Sequence, residues 1–140
     1  MLTFLHIGFA FLWLGCVLTE ALFERAMLAG DRASHKALAN LHARVDLVVE
    51  IPAMLVVLVT GALLWMRAGD YGVAELVMIG AGAVALLANG YCVWLVFKRR
   101  SAAHAEEWDA FDRLDHLQHR VGAIVLLGLL VAIVAGALIR

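Results

Sequence analysis

Apolar residues run almost unbroken through four stretches of the chain, roughly residues 2–23, 47–66, 73–97 and 121–139. Each is about the 20 residues that a helix needs to cross a ~30 Å hydrocarbon core. This pattern predicts an all-α, integral membrane four-helix transmembrane bundle with up-down-up-down order, formed by residues 1–140 as a single domain. The short Ala68-Gly69-Asp70 connection makes the second and third helices an antiparallel hairpin. Between the first two runs, Gly30-Asp31-Arg32 forms a turn and Ser34 is placed to cap the second helix. Residues 34–46 are amphipathic without a breaker. In 104–120, Trp108, Phe111, Leu114 and Leu117 recur at helical spacing. Two of the helices are therefore expected to project two or three turns beyond the lipid. Helix three carries Gly80, Ala81, Gly82, Ala83 and Ala85. Small residues let backbones approach where no hydrophobic force drives helices together, so Gly82 is expected at a close helix crossing.

Composition agrees with this pattern: 64% of the 140 residues are hydrophobic, mean hydropathy is +0.91 and there is one proline. The first run has neither a basic leader nor an A-x-A site and reads as a retained helix. Cys16 and Cys92 lie inside apolar runs and read as small buried hydrophobes rather than a disulfide framework. Net charge is −1, which gives no ground for nucleic-acid binding, but its distribution is uneven. Arg67 and Arg140 fall on the side of Met1. Arg25, Arg32, Lys36, Arg44, Lys98, Arg99, Arg100, Arg113 and Arg120 fall on the other. The positive-inside rule makes that second side cytoplasmic, with both termini outside, in a bacterial-type inner membrane.

Polar residues inside such helices need a reason. His42, Asp46 and Glu50 succeed one another at intervals of four on helix two, on one drifting stripe. Asp112, Asp115, His116 and His119 fall within about a 100° arc on helix four. Helix one adds Glu20 and Glu24. Taking ~1.5 Å per residue, Glu24 and Asp46 lie about 2 Å from the membrane edge, and Glu20 and Glu50 about 5 Å inside it. On the same scale His119 lies about 3 Å outside, and His42 and His116 about 7 Å outside. Glu24 beside Arg25 reads as an interfacial ion pair, and Arg44 and Arg120 as the cations nearest the other acids. Yet an ionised carboxylate in hydrocarbon costs several kcal/mol unless paired or liganded. Three histidines at the same level add no charge at neutral pH, so pairing does not explain them.

Imidazole with carboxylate and no thiolate suits iron, manganese or zinc. The expected centre holds metal ions, iron or zinc and more than one, on Glu20, His42, Asp46, Glu50, Asp112, Asp115, His116 and His119. Soluble carboxylate bundles hold two metals in this manner, although their paired Glu-x-x-His motifs are missing here. A redox or hydrolytic enzyme is the activity such a centre would support. Haem b between His42 and His116 or His119 is the second reading, opposed by the acids that would press on the macrocycle. Metal or proton transport is the third, and beyond Glu50 only Thr19, Thr60 and Asn89 continue a polar path. The partners implied are the lipid bilayer and metal ions, with a homo-oligomer left open.

Helix one reads LHIGFAFLWLG, helix two IPAMLVVLVTGALLW, and helix three has Tyr91-Cys92 shortly before Lys98-Arg99-Arg100. In these features the chain resembles the small four-helix membrane families around HemJ-type protoporphyrinogen oxidase and the copper-resistance protein D-like domains. The resemblance touches most of the length through short motifs. It implies a haem-binding role for His6, and it matches Pro52-Ala53 and Gly61 to the family's second helix. The chain departs from the family in having no lysine in helix three before Lys98, and in its acid and histidine cluster.

Overall fold

The structure is a computed structural model that describes residues 1–69 and 71–139. Asp70 and Arg140, used above for the turn and the charge count, lie outside the described residues. Among the described residues five α-helices occur in order: α1 (Leu2–Leu28), α2 (Arg32–Val45), α3 (Ile51–Arg67), α4 (Val73–Ala105) and α5 (Trp108–Ala137). No strand occurs among the described residues. A single π-helical turn, Asp46–Glu50, welds α2 to α3, so Arg32–Arg67 is one rod. Four rods result, each long and apolar enough to cross a membrane.

Pro52 explains the π turn. Proline lacks an N–H, and its ring clashes with the carbonyl four residues earlier, so the ladder must open on its N-terminal side. It opens by one residue: the Ile51 N–H reaches the Asp46 carbonyl, five back. Upstream, the cap of α2 is Asp31 rather than Ser34. The Asp31 carboxylate accepts from the Ser34 N–H at 2.9 Å and from its hydroxyl at 2.8 Å. These two bonds, the backbone one foremost, hold the Asp31 carboxyl below the usual carboxylate range. α4 ends on Glu106 in the left-handed region at φ 62°, and α5 starts two residues later.

α4 and α5 pack along most of their length. Their close approach is at Gly128, where a Cβ would meet the Ala81 carbonyl oxygen at 3.1 Å and the Ala85 Cβ at 3.1 Å. Gly82, the expected crossing point, faces open space, as does Gly80. At this crossing the side of α4 that faces α5 runs through Ala81 and Ala85. Gly128→Ala is therefore expected to lower stability by about 1–3 kcal/mol through overpacking. Gly82→Ala should be neutral or stabilising, since alanine is the better helix former by up to ~1 kcal/mol. Thermal unfolding of both variants in detergent checks this, and equal midpoints would refute the crossing.

Two apolar clusters lie along the rods. Trp13, Ala53, Ala85, Val125 and Leu129 form one, and Ala39, Ala102, Ala103 and Phe111 the other. Between them, interspersed with buried Ala43, Leu95 and Val96, is a set of buried polar residues: Glu20 and Glu24 on α1, His42 on α2, Asp46 and Glu50 on the π turn, Asn89 and Arg99 on α4, and Asp115 and Gln118 on α5. This polar layer thus lies between the two apolar clusters.

Candidate metal centre

His42 stands in the middle of this layer. Its Nδ1 lies 2.7 Å from Glu24 Oε1. A carboxylate oxygen only accepts, so in the tautomer that bonds Glu24 the proton is on Nδ1, and a neutral imidazole then presents its lone pair on Nε2. An Arg99 terminal nitrogen also lies 3.1 Å from Nδ1. Nε2 faces Glu20 Oε2 at 3.5 Å and Asp46 Oδ1 at 3.4 Å. Both separations are longer than a charge-assisted hydrogen bond, ~2.7–2.9 Å. They match two ligands of one tetrahedral ion: donors ~2.0–2.15 Å from a metal stand ~3.3–3.5 Å apart. One donor atom from each of Glu20, His42 and Asp46 fits within a span of 4.8 Å.

Asp46 supplies the second indication. Its exposure is 0%, and neither carboxylate oxygen has a hydrogen-bond partner. Buried carboxylates without donors are costly and rare, and a bound cation or proton is what resolves them. The residue sits on the π turn, whose extra residue turns Asp46 and Glu50 relative to a continuous helix. Such bulges recur at functional sites. Glu50 is likewise buried, and the Cys16 thiol lies 3.7 Å from Glu20 Oε1.

Arg99 organises the other half of the layer. Wholly buried, it donates to Glu24 Oε1 at 2.7 Å and, through its second terminal nitrogen, to Asp115 Oδ1. The Gln118 amide also donates to Glu24 Oε1, at 3.0 Å. Three donors therefore fix one oxygen of Glu24, which in turn orients His42. This is the carboxylate–histidine relay that commonly stands behind a metal ligand. Phe111 lies against Arg99, its ring 5.7 Å from the guanidinium carbon. Five carboxylates (Glu20, Glu24, Asp46, Glu50 and Asp115) share the layer with one guanidinium.

The residues singled out in the sequence divide. Glu20, His42 and Asp46 come together, and Glu50 is buried on the same rod. Asp115 is held by Arg99, and its carbonyl accepts from His119 Nδ1 at 2.8 Å. His119 sits at the rim with a side chain 39% exposed, its Nε2 3.3 Å from Glu24 Oε2. Asp112 is outside the layer, in a two-pronged ion pair with Arg32 at 3.0 and 3.2 Å. His116 is exposed. His6 lies at the opposite end of α1, where its Nδ1 is 2.9 Å from the Thr60 hydroxyl. Thr60 donates its own proton to the Val56 carbonyl, so it accepts from His6. A Cβ on Gly61 would stand 3.1 Å from that ring.

Arg99 and Gln118 are members of the layer that sequence reasoning missed, and Glu24 is one whose partner it misassigned. Arg99 is inconspicuous within Lys98-Arg99-Arg100, but it continues the buried line Ala85, Asn89, Val96, Ala103, which Lys98 and Arg100 do not. Glu24 pairs with Arg99 rather than with its sequence neighbour Arg25. Comparison with protein-family models, curated proteins and solved structures returned no match.

Proposed function

We propose that the chain is a multi-pass membrane protein that binds a divalent transition metal, iron or zinc, on Glu20, His42 and Asp46. The observation that carries this reading is the orphaned Asp46 carboxylate, 3.4 Å from His42 Nε2, with Glu20 Oε2 at 3.5 Å from the same nitrogen. Three protein donors leave a fourth position for water or substrate, which is the pattern of catalytic rather than structural sites. A redox or hydrolytic activity is the chemistry that fits. Glu24 Oε2 and His119 Nε2, 3.3 Å apart at the rim, are donors available to a second ion. Carboxylates stand at both nitrogens of His42, which favours a non-haem centre over a haem ligated there. The apolar cluster around Trp13 closes the layer on one side, which favours a bound centre over a transmembrane path.

In this reading the four rods run up-down-up-down, and the polar layer lies at the cytoplasmic mouth, with helix ends extended beyond it. Exposed aromatic pairs fit the placement: Trp65 against Tyr71, and Tyr91 stacked on Trp94. Along α4 the rise from Val73 to Trp94 is ~32 Å, close to one hydrocarbon core between two aromatic belts. The basic side faces the cytoplasm. A reporter active only in the cytoplasm should be silent at either terminus, and a signal there would reverse the orientation.

Elemental analysis with an optical spectrum of the purified protein tests the metal. The wild type should carry iron or zinc without a Soret band. His42→Ala should lose at least tenfold in affinity, as lost ligands and their supports typically do. His104→Ala should keep its metal, because His104 is exposed and bonded to Asn40. A wild type without metal, or a His42→Ala variant with full content, would sink the proposal.

A further inference from the structure

A groove of about 520 Å³ opens between α2 and α4, on the outer flank of the polar layer. Its walls divide by chemistry. Leu41, Leu47 and Phe97 are apolar and exposed, and Arg44, Arg100 and Asn40 are polar. Leu47 and Phe97 end the apolar runs of their rods, whereas Arg44 and Arg100 lie one turn from them or less, beyond the hydrocarbon. One half of the groove is thus continuous with the lipid-facing surface, and the other is cationic.

Of the nine cations on this side three are paired with acids among the described residues, and Arg44 and Arg100 are the two unpaired ones that share a groove. Arg32 pairs with Asp112, Lys36 with Glu106, and Arg99 with Glu24 and Asp115. Arg44 and Arg100 have no acidic partner among the described residues, and no acid lines the groove. Arg100 is nevertheless held in place. Its Nε donates to the Asn40 side-chain oxygen at 2.9 Å, which leaves both terminal nitrogens of the guanidinium available. His104 Nε2 approaches that same oxygen at 2.9 Å and supports it from behind. Two unpaired guanidinium groups in one groove repel each other unless an anion lies between them. A planar guanidinium is also well suited to grip phosphate with two hydrogen bonds.

We propose that this groove is a binding site for one anionic phospholipid. The phosphate lies between Arg44 and Arg100, and an acyl chain runs down over Leu47 and Phe97. Basic pockets between transmembrane helices on the cytoplasmic side take anionic headgroups in this way. The apolar half of the groove selects a lipid over a free anion, and the cationic half selects an anionic headgroup over a zwitterionic one. This site rests on the membrane reading above but not on the metal.

Native mass spectrometry of the full chain in detergent tests it, with phosphatidylglycerol and phosphatidylcholine as competing probes. The wild type should retain phosphatidylglycerol at least fivefold over phosphatidylcholine. Arg44→Gln and Arg100→Gln should each lower that retention about fivefold, the change that ~1 kcal/mol per basic residue at an anionic surface represents. Arg25→Gln, which removes an exposed cation away from the groove, should leave it unchanged. Equal retention of the two lipids by the wild type would overturn the site even if the glutamine variants fail to fold. So would displacement of phosphatidylglycerol by equimolar inorganic phosphate, or cross-linking of an Ala37→Cys variant into a dimer whose second copy fills the groove. The preference should survive chelation of any metal, so loss of the metal proposal leaves this one standing. A chain that is not retained in membranes at alkaline carbonate would remove both.

Discussion

Arg99→Met is expected to destabilise the detergent-solubilised protein by about 3–5 kcal/mol, the usual result of breaking a buried ion pair from one side. The guanidinium is fully buried and compensates Glu24 and Asp115 together. Methionine matches much of its length but leaves two buried carboxylates facing each other without a cation. Arg99→Lys should fall between the two, because an ammonium keeps the charge but cannot span Glu24 and Asp115 with a fork. The orientation of His42 should fail as well, since the Glu24 oxygen that accepts from its Nδ1 is the one Arg99 holds. Unfolding by heat or denaturing detergent measures the effect. A loss below ~1 kcal/mol, the range of surface pairs, would mean that Arg99 is solvated and not the centre of the layer.

The second large effect is a change of sign. Asp46→Asn should raise the stability of the metal-free protein and lower that of the metal-loaded one. Without metal, the substitution removes a buried charge that no donor satisfies. The new amide can also donate to His42 Nε2, 3.4 Å from the present Oδ1. With metal, the variant loses an anionic ligand. An ion that binds only the folded chain stabilises it by ~4 kcal/mol at a thousandfold excess over its Kd, and that increment should shrink or vanish. Paired thermal scans with and without added iron or zinc make the comparison. Shifts of one sign under both conditions would remove Asp46 from the ligand set.

The four long apolar helices were legible from hydropathy because their apolar runs are nearly unbroken. His42, Asp46 and Glu50 were legible as a stripe for a simpler reason: four-residue spacing keeps side chains on one side of any helix. The π turn was not legible, because the expected stripe presumed 3.6 residues per turn throughout. Pro52 was its one local sign. On α5 the 100° arc was too coarse a criterion. Packing selects the narrower line Phe111, Asp115, Gln118, Val121 and Val125, so Asp115 turns inward while Asp112 and His116 fall on its flanks. The lead-in stripe that ends on Leu117 drifts outward, and Leu117 is 38% exposed. Arg99 was hidden for the opposite reason. In a basic triplet beside a membrane edge, charge counting treats three residues as equivalent, and only the buried line along α4 separates them.

The apolar cluster of Trp13, Ala53, Ala85, Val125 and Leu129 also bears on how the centre meets the energised membrane. In the proposed placement an ion reaches Glu20, His42 and Asp46 from one aqueous phase and leaves to the same phase, after travelling about 5 Å of a ~30 Å dielectric. A full crossing is worth ~2.3 kcal/mol per charge at 100 mV, so this fraction amounts to about 0.4 kcal/mol per charge and about 0.8 kcal/mol for a divalent ion. Occupancy then tracks the chemical activity of the metal first, and ~100 mV changes the affinity by about fourfold. A full crossing by the same ion would change it more than about a thousandfold.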